Sequence, residues 1–161
     1  MAKYLVTGGA GFIGSNIVEE LVRRKGLSPK GTVPKVDKII VLDSFITGKR
    51  ENLEPFLNKI ELVEGDIRDR GVLRKALGGV DYVLHQAALR SVPKSVDRPI
   101  DSHDSNSTGT LNMLMAAKEA KVRRFVYASS SSVYGDALRF PQKEEYRPQP
   151  VSPYAASKLA G

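Results

Sequence analysis

Tyr154 and Lys158, near the end of the sequence, have the residue types and the spacing that proton transfer requires. Residues four apart are neighbours on a helix face, so a helix here would place the two side chains together. A phenol is a poor base at neutral pH because its reference pKa is about 10, and a nearby ammonium group stabilises the phenolate. Tyr154 is therefore a candidate general base. The alternative is a surface tyrosine and lysine on an ordinary amphipathic helix.

A glycine-rich segment near the start of the sequence predicts a dinucleotide-binding turn. The apolar segment 3–7 predicts a buried strand, and the glycines that follow fit both Gly9-x-Gly11-x-x-Gly14 and Gly8-x-x-Gly11-x-x-Gly14. An amphipathic helix then begins. Glycine lets the backbone approach a pyrophosphate, and a helix N-terminus offers free N–H groups and partial positive charge. An ordinary tight turn with close packing is the alternative interpretation.

Asp43 supplies a carboxylate at the end of the next predicted strand, residues 38–43. It lies farther along the chain than the usual spacing of about 20 residues. A predicted surface loop at residues 26–35, rich in Gly, Pro and Lys, accounts for the excess. A carboxylate there can accept both ribose hydroxyls of the adenosine and would repel a 2′-phosphate, which favours NAD over NADP. Lys49 and Arg50 follow closely in the sequence and weaken that preference.

Composition restricts the class of protein. The chain has 161 residues, 41% hydrophobic and 27% charged, which predicts one soluble globular domain. It has no cysteine, no membrane-length apolar run and no signal-peptide pattern, so we expect a cytoplasmic protein without disulfides or thiolate chemistry. The net charge of +7 is scattered rather than clustered, which disfavours nucleic-acid binding. His85 and His103 lack a third ligand pattern, so no metal site is expected.

The rest of the chain alternates strands and helices, a pattern typical of an α/β fold. We predict a Rossmann-type doubly wound parallel sheet with helices on both faces, in which ligands lie beyond the carboxyl ends of the strands. Predicted strands occupy residues 3–7, 38–43, 60–64, 81–85 and 124–128. Predicted helices include the one after the glycines, residues 69–77, residues 107–120 and a last helix that contains Tyr154 and Lys158.

Seven segments in this order resemble the extended short-chain dehydrogenase/reductases, and within them the NAD-dependent UDP-sugar 4-epimerases. The segments are Thr7–Ser15, Asp43, Gly65–Ile67, His85–Ala88, Asn106, Ser129–Gly135 and Tyr154–Lys158. Residues 84–89 and 91–95 are similar to the epimerases that act on N-acetylated UDP-hexoses.

The resemblance implies three catalytic residues, Ser130, Tyr154 and Lys158. Tyr154 would take the C4 hydroxyl proton of a UDP-sugar while hydride leaves C4 for NAD, and Lys158 would also hold the nicotinamide ribose. The Ser130 hydroxyl would hydrogen-bond the C4 oxygen. The neighbouring serines of residues 129–132 leave a one-residue shift open, and a polar turn after a strand is the alternative.

The resemblance also implies contacts with the cofactor and the sugar along the whole chain. The residues expected to contact NAD are Gly8, Gly11, Phe12, Ile13, Gly14, Asp43, Ser44, Asp66, Ile67, Gln86, Ala87, Ala88, Arg90, Asn106, Tyr154 and Lys158. Those expected to contact the sugar are Ser91, Ser130, Ser131 and Tyr154.

Several of these assignments have a purely structural alternative. Asp66 and Ile67 could form only a strand-end turn, and Arg90 could face solvent. Asn106 could be a helix N-cap. His85 is expected to be a buried strand-end residue satisfied by the backbone.

Two further expectations concern the reaction and the extent of the chain. Related dehydratases and decarboxylases carry an acidic residue in the serine-rich segment, and residues 129–133 contain none, which favours epimerisation. Gly161 interrupts a helix that in this family continues toward a C-terminal substrate domain. We therefore expect the NAD-binding, N-terminal part of an enzyme that is homodimeric at full length, a part that binds NAD but does not turn over alone. A UDP-glucuronate epimerase, a dehydratase, a reductase and a non-catalytic dinucleotide-binding module are the alternatives.

Overall fold

The computed structural model describes residues 1–25, 27, 35–136 and 140–161. Their contacts form two compact units. The first comprises residues 1–87 and 112–127, and the second comprises residues 88–111 and 128–161. Most of the surface loop predicted at residues 26–35 lies outside the described residues.

The first unit is built on a sheet of five parallel strands. In chain order they are β1 (Ala2–Thr7), β2 (Val36–Asp43), β3 (Glu61–Glu64), β4 (Tyr82–His85) and β5 (Arg124–Tyr127). The order in the sheet is β3-β2-β1-β4-β5, and every neighbouring pair is parallel. The strand order reverses direction at β1, which is where ligands bind in sheets of this type. The predicted Rossmann-type sheet is confirmed.

Six α-helices are found among the described residues: α1 (Phe12–Lys25), α2 (Arg70–Ala76), α3 (Val92–Asp97), α4 (Pro99–His103), α5 (Gly109–Glu119) and α6 (Pro153–Ala160). None of them is both long enough and apolar enough to span a membrane. Short 3-10 turns occupy Arg50–Asn52, Glu54–Phe56 and Ser131–Tyr134, and a π-helical segment, Asp104–Thr108, leads directly into α5. The helix predicted to begin near residue 107 therefore begins earlier, with a widened turn.

The apolar core of the first unit lies on both faces of the sheet, because successive strand residues point to opposite faces. Leu5 of β1 shares one cluster with Leu73 of α2 and Met113 of α5. Its neighbour Val6 shares the other cluster with Val18 of α1. All five side chains are buried. The prediction of helices on both faces of the sheet is confirmed.

The second unit is organised around α6, which packs against α3, α4, the π-helical segment and the 3-10 turn at residues 131–134. The sequence defines its start locally. Ser152 accepts a hydrogen bond from the Ala155 amide at 3.1 Å, and Pro153 occupies the first helical position. The predicted last helix, with Tyr154 and Lys158 in it, is confirmed.

Gly14 sets how closely α1 approaches the turn that follows β1. A Cβ atom there would lie 2.1 Å from the Gly8 carbonyl oxygen and 2.7 Å from the Gly9 Cα atom. Both neighbours are backbone atoms, which cannot move aside as the end of a flexible side chain can. The close contact between helix and turn therefore requires glycine at this position.

Gly14→Ala should lower the free energy of unfolding by about 1–3 kcal/mol, because the added methyl group must displace backbone atoms. Gly78→Ala is the matched control, since a Cβ there would lie 3.5 Å from the Lys75 carbonyl oxygen, an ordinary contact. Urea unfolding followed by circular dichroism measures both variants. Equal stability of the two would contradict this account of the packing.

Candidate functional site

Gly8 allows the turn after β1 to run directly beside the segment that follows β4. Its φ angle is +67°, and a Cβ atom there would lie 2.7 Å from the Ala87 amide nitrogen. The Gly11 amide donates to the Gly8 carbonyl oxygen at 3.1 Å and closes the turn. The structure thus brings Gly8 beside Gly11, Gly14 and Ala87. That this turn binds a phosphate stays a prediction.

The N-terminus of α1 is open to solvent at this turn. Phe12 is 79% exposed and Ile13 is 61% exposed, and the first turn of the helix contains no acidic residue. The first N–H groups of a helix lack partners within the helix and carry partial positive charge. This end of α1 can therefore hold an anion such as a pyrophosphate.

Asp43 ends β2 and is joined to the same turn. Its side chain is only 7% exposed. One carboxylate oxygen, Oδ2, accepts from the Ala10 amide at 2.8 Å, and the other, Oδ1, accepts from the Phe45 amide at 2.8 Å. A carboxylate oxygen has two lone pairs, so each oxygen keeps an acceptor position that suits a ribose hydroxyl.

Asp66 and Ile67, expected to contact NAD, have structural roles of their own. Asp66 pairs with the Arg68 side chain at 2.7 Å and accepts from the Arg68 amide at 2.8 Å. The side-chain hydrogen bond from Arg68 is the main reason why the pKa of Asp66 lies below its usual value. Ile67 is buried in the apolar core, so any contact that it makes with a ligand would come from its backbone.

Thr7 positions the segment that begins with His85. The Thr7 hydroxyl oxygen lies 2.6 Å from His85 Nδ1 and accepts from the Ala87 amide at 3.2 Å. His85 is fully buried, as predicted. The partner found on its Nδ1 atom is this side-chain hydroxyl. Thr7 therefore helps to shape the segment that contacts Gly8.

Lys158 is buried in the second unit, with only 4% of its surface exposed. Its Nζ atom donates to the Ala128 carbonyl oxygen at 2.8 Å. Ala128 directly precedes the serine-rich segment, so this hydrogen bond ties α6 to the start of that segment. Burial lowers the pKa of Lys158 from 10.5 to about 8.

Tyr154 lies one helical turn before Lys158 and has a fixed backbone. The Ser95 hydroxyl accepts from the Tyr154 amide at 3.1 Å, and the Ser157 hydroxyl donates to the Tyr154 carbonyl oxygen at 2.8 Å. Ser95 also donates to the Val92 carbonyl oxygen at 2.7 Å. The first turn of α6 is thereby attached to α3.

Ser130 is the N-cap of the 3-10 turn at residues 131–134. Its hydroxyl oxygen accepts from the Ser132 amide at 3.1 Å. A serine hydroxyl has one hydrogen to donate and a second lone pair, so this capping bond leaves its donor function available. Of its neighbours, Ser129 and Ser131 are exposed, whereas Ser130 is half-buried.

Asn106 braces the backbone after β4 rather than capping a helix. Its Oδ1 atom accepts from the Leu89 amide at 2.7 Å, and its Nδ2 atom donates to the Leu89 carbonyl oxygen at 3.1 Å. Nδ2 also lies 3.0 Å from the Ser157 hydroxyl of α6. Asn106 therefore connects α6 to residue 89, and the N-cap alternative is not what the structure shows.

The remaining predicted residues are less strongly positioned. Ser91, expected to contact the sugar, has φ of 134° and caps α3 by accepting from the Lys94 amide at 3.3 Å. As at Ser130, the capping bond leaves the hydroxyl hydrogen of Ser91 available as a donor. Arg90 is exposed, and Ser44, Gln86 and Ala88 are partly exposed.

Three side chains with positioning roles were missed by the sequence analysis: Thr7, Ser95 and Ser157. Thr7 lay inside a recognised segment but had no role assigned to it. Ser95 accepts from the Tyr154 amide and Ser157 accepts from the Asn106 side chain, and both partners lie far away in sequence, so no local pattern marks these roles. Among the residues that the structure describes, no cluster of three or more His, Cys, Asp or Glu side chains could hold a metal ion.

The reversed strand order, the glycine turn at the start of α1 and the Tyr154–Lys158 pair on α6 define a dinucleotide-binding protein of the short-chain dehydrogenase/reductase class. The chain belongs to the GDP-mannose 4,6 dehydratase family, whose model matches residues 5–161. The resemblance seen in the sequence is confirmed.

Relatives of known activity and structure match almost the whole chain. The UDP-glucose 4-epimerase of Lactobacillus helveticus is 36% identical over 159 residues, a match covering 98% of this chain and 44% of the relative. A Methanobrevibacter ruminantium UDP-N-acetylglucosamine 4-epimerase structure, in complex with UDP-N-acetylmuramic acid, has a TM-score of 0.86 and 36% identity over 99% of this chain and 47% of its own. The structure of the Streptomyces venezuelae dTDP-glucose 4,6-dehydratase DesIV, with NAD bound, has a TM-score of 0.87 and 39% identity. That match covers 98% of this chain and 48% of DesIV.

The chain therefore spans less than half the length of these three proteins. Epimerases and a dehydratase lie at similar distances from it. Both kinds of relative act on sugar nucleotides, and the similarity alone does not favour one of the two reactions for this chain.

The burial of Lys158 predicts how stability depends on pH. The pKa of Lys158 is about 8 in the folded chain and about 10.4 for a lysine in an unfolded chain. Between these values the unfolded chain holds a proton that the folded chain has released, so this lysine should raise the free energy of unfolding from about pH 8 to pH 10. Lys158→Met should remove that rise. Lys94→Met is the control, because Lys94 is exposed. An unchanged pH slope in Lys158→Met would contradict the prediction.

Proposed function

We propose that this chain is the NAD-binding and proton-transferring part of a UDP-sugar 4-epimerase, acting on a UDP-hexose or a UDP-N-acetylhexosamine. The observation that carries the proposal is the arrangement around α6. Lys158 is buried one turn from Tyr154 and bonded to Ala128, the residue just before the serine-rich segment. A solvent-facing Tyr and Lys on an ordinary amphipathic helix would not require a buried amine.

The first unit has the features that NAD requires. Gly8 and Gly14 exclude side chains from the turn, the open start of α1 can hold the pyrophosphate, and Asp43 keeps acceptor positions for ribose hydroxyls. NAD, when bound, would take up the C4 hydride of the sugar and return it. DesIV, whose structure contains NAD, is 39% identical over 98% of this chain, which supports the same cofactor here.

Proton transfer would be performed by residues of the second unit. Tyr154 would take the proton of the C4 hydroxyl, and the positive charge of Lys158 would favour the phenolate form that this step needs. Ser130, which has a hydrogen to donate, would hold the C4 oxygen while it is a carbonyl. Tyr154 would then return the proton to that oxygen, so these residues end the cycle unchanged.

The serine-rich segment favours epimerisation over dehydration. Elimination of water from a sugar needs an additional acid, and residues 129–133 contain no acidic side chain. Dehydration is the second candidate because DesIV is as similar to the chain as the epimerases are. Analysis of the products formed from a UDP-hexose distinguishes the two reactions, because epimerisation gives a 4-epimer and dehydration gives a 4-keto-6-deoxy sugar.

We expect the 161-residue chain to bind NAD and to turn over little or no UDP-sugar by itself. Its relatives are about twice as long, and binding energy from the remote UDP moiety is needed to hold the hexose in place. Homodimerisation of the full-length enzyme stays a prediction.

Asp43→Asn should weaken NAD binding to the chain by roughly 10-fold, because a charged acceptor for the ribose hydroxyls is replaced by a neutral amide. Calorimetric titration at constant pH measures the change. Asp37→Asn is the matched control, since Asp37 lies on the same strand and is exposed. Unchanged NAD affinity in Asp43→Asn, or tighter binding of NADP than of NAD by the unsubstituted chain, would refute the adenosine assignment.

Tyr154→Phe should lower turnover by about 100-fold or more, because the ring is kept while the ionisable oxygen is lost. The assay uses a chimera that joins this chain to the remaining part of the Lactobacillus helveticus relative, with UDP-glucose and UDP-N-acetylglucosamine as substrates. Ser130→Ala should cost about 10-fold to 1,000-fold, and Tyr146→Phe, in the loop before α6, is the control. Near-normal turnover in Tyr154→Phe would mean that another group is the base.

A further inference from the structure

The loop after β2 is attached to the glycine turn and to Asp43. The Phe45 amide donates to Asp43 Oδ1, and Phe45 has φ of 56°. The Lys49 amide donates to the Ala10 carbonyl oxygen at 3.0 Å, and the Asn52 side chain donates to the same oxygen at 2.8 Å. Residues 44–52 are thus held beside the position where the ribose of a dinucleotide would meet Asp43.

Arg50 lies on this loop, and its guanidinium group makes two contacts. Its guanidinium carbon lies 4.1 Å from the centre of the Phe45 ring. Its Nη2 atom forms an ion pair with Glu64 Oε2. Glu64 is the last residue of β3 and lies opposite Asp43 in the register of the two strands. The charges of Arg50 and Glu64 therefore offset each other next to the end of β2, where Asp43 lies.

We propose that Glu64 sets the preference for a dinucleotide with a free 2′-hydroxyl by neutralising Arg50, an inference that rests on the proposed NAD binding. A 2′-phosphate adds about two negative charges, and it needs a cation to offset the repulsion of Asp43. Arg50 has the geometry to bind phosphate, but its Nη2 atom is paired with Glu64, whose negative charge offsets that of the guanidinium. Glu64 is thus a positioning residue that acts through Arg50.

Removing the charge of Glu64 should increase the relative affinity for NADP. In Glu64→Gln, the guanidinium of Arg50 loses its anionic partner and becomes available to a 2′-phosphate. The attraction between the released charge of Arg50 and a 2′-phosphate of about two charges, at roughly 8 Å in water and at low ionic strength, implies that the ratio of the NADP Kd to the NAD Kd falls by about 3-fold to 10-fold. Lys49 is present in every variant, so its contribution to the ratio is common to all of them.

The chain provides a matched control for this substitution. Glu61 lies at the other end of β3 and forms an ion pair with Lys38, and its exposure is similar to that of Glu64. Glu61→Gln removes the same charge from the same strand, away from Asp43, and should leave the ratio unchanged. Arg50→Gln provides the second comparison. In that background Glu64→Gln should change the ratio less than it does alone, because only the direct repulsion between Glu64 and a 2′-phosphate is removed.

Calorimetric titration of the 161-residue chain with NAD, and with NADP in competition against NAD, measures the ratio for all five proteins. A fall in Glu64→Gln that is absent in Glu61→Gln, and that is smaller when Glu64→Gln is introduced into the Arg50→Gln background, supports the proposal. An unchanged ratio in Glu64→Gln, an equal fall in Glu61→Gln, or an equally large fall in the Arg50→Gln background overturns it. If the unsubstituted chain binds neither dinucleotide, the proposed function itself is refuted, and this inference with it.

Discussion

The buried carboxylate of Asp43 links the glycine turn of the first unit to the end of β2 and the start of the loop that follows it. One oxygen accepts from the Ala10 amide, which is 33 positions away, and the other accepts from the Phe45 amide. A buried charge without partners is costly, so these hydrogen bonds must form when the unit folds. The shape of the glycine turn and the course of the loop that carries Arg50 therefore both depend on this one side chain.

In the second unit, the comparable constraint is the attachment of α6. Ser95 accepts from the Tyr154 amide, Asn106 reaches Ser157, and Lys158 donates to the Ala128 carbonyl oxygen. The π-helical segment that contains Asn106 adds a wider turn before α5, a feature that often occurs at functional sites. Together these bonds fix the helix that carries the proposed base, which proton transfer at a defined oxygen requires.

Much of the fold could be predicted because its causes are local. Buried parallel strands are near-continuous apolar runs, and β2 ends on Asp43 as the sequence indicated. A helix was predicted at residues 69–77, and Asp69 defines its start by accepting from two amides of the first turn. The helix predicted from about residue 107 is preceded by the π-helical segment, which the sequence analysis did not predict. A π-helical turn shifts the helical periodicity, and no particular residue type marks such a turn.

The sequence by itself determined the parallel sheet, the glycine turn and the pairing of Tyr154 with Lys158 on one helix, since each depends on residues a few positions apart. Only the tertiary structure decided that Lys158 is buried against Ala128, that Asn106 holds Leu89, and that Glu64 balances Arg50. Each of these contacts joins residues at least 14 positions apart. Strand register and helix packing bring such residues together, and no local pattern encodes those distances.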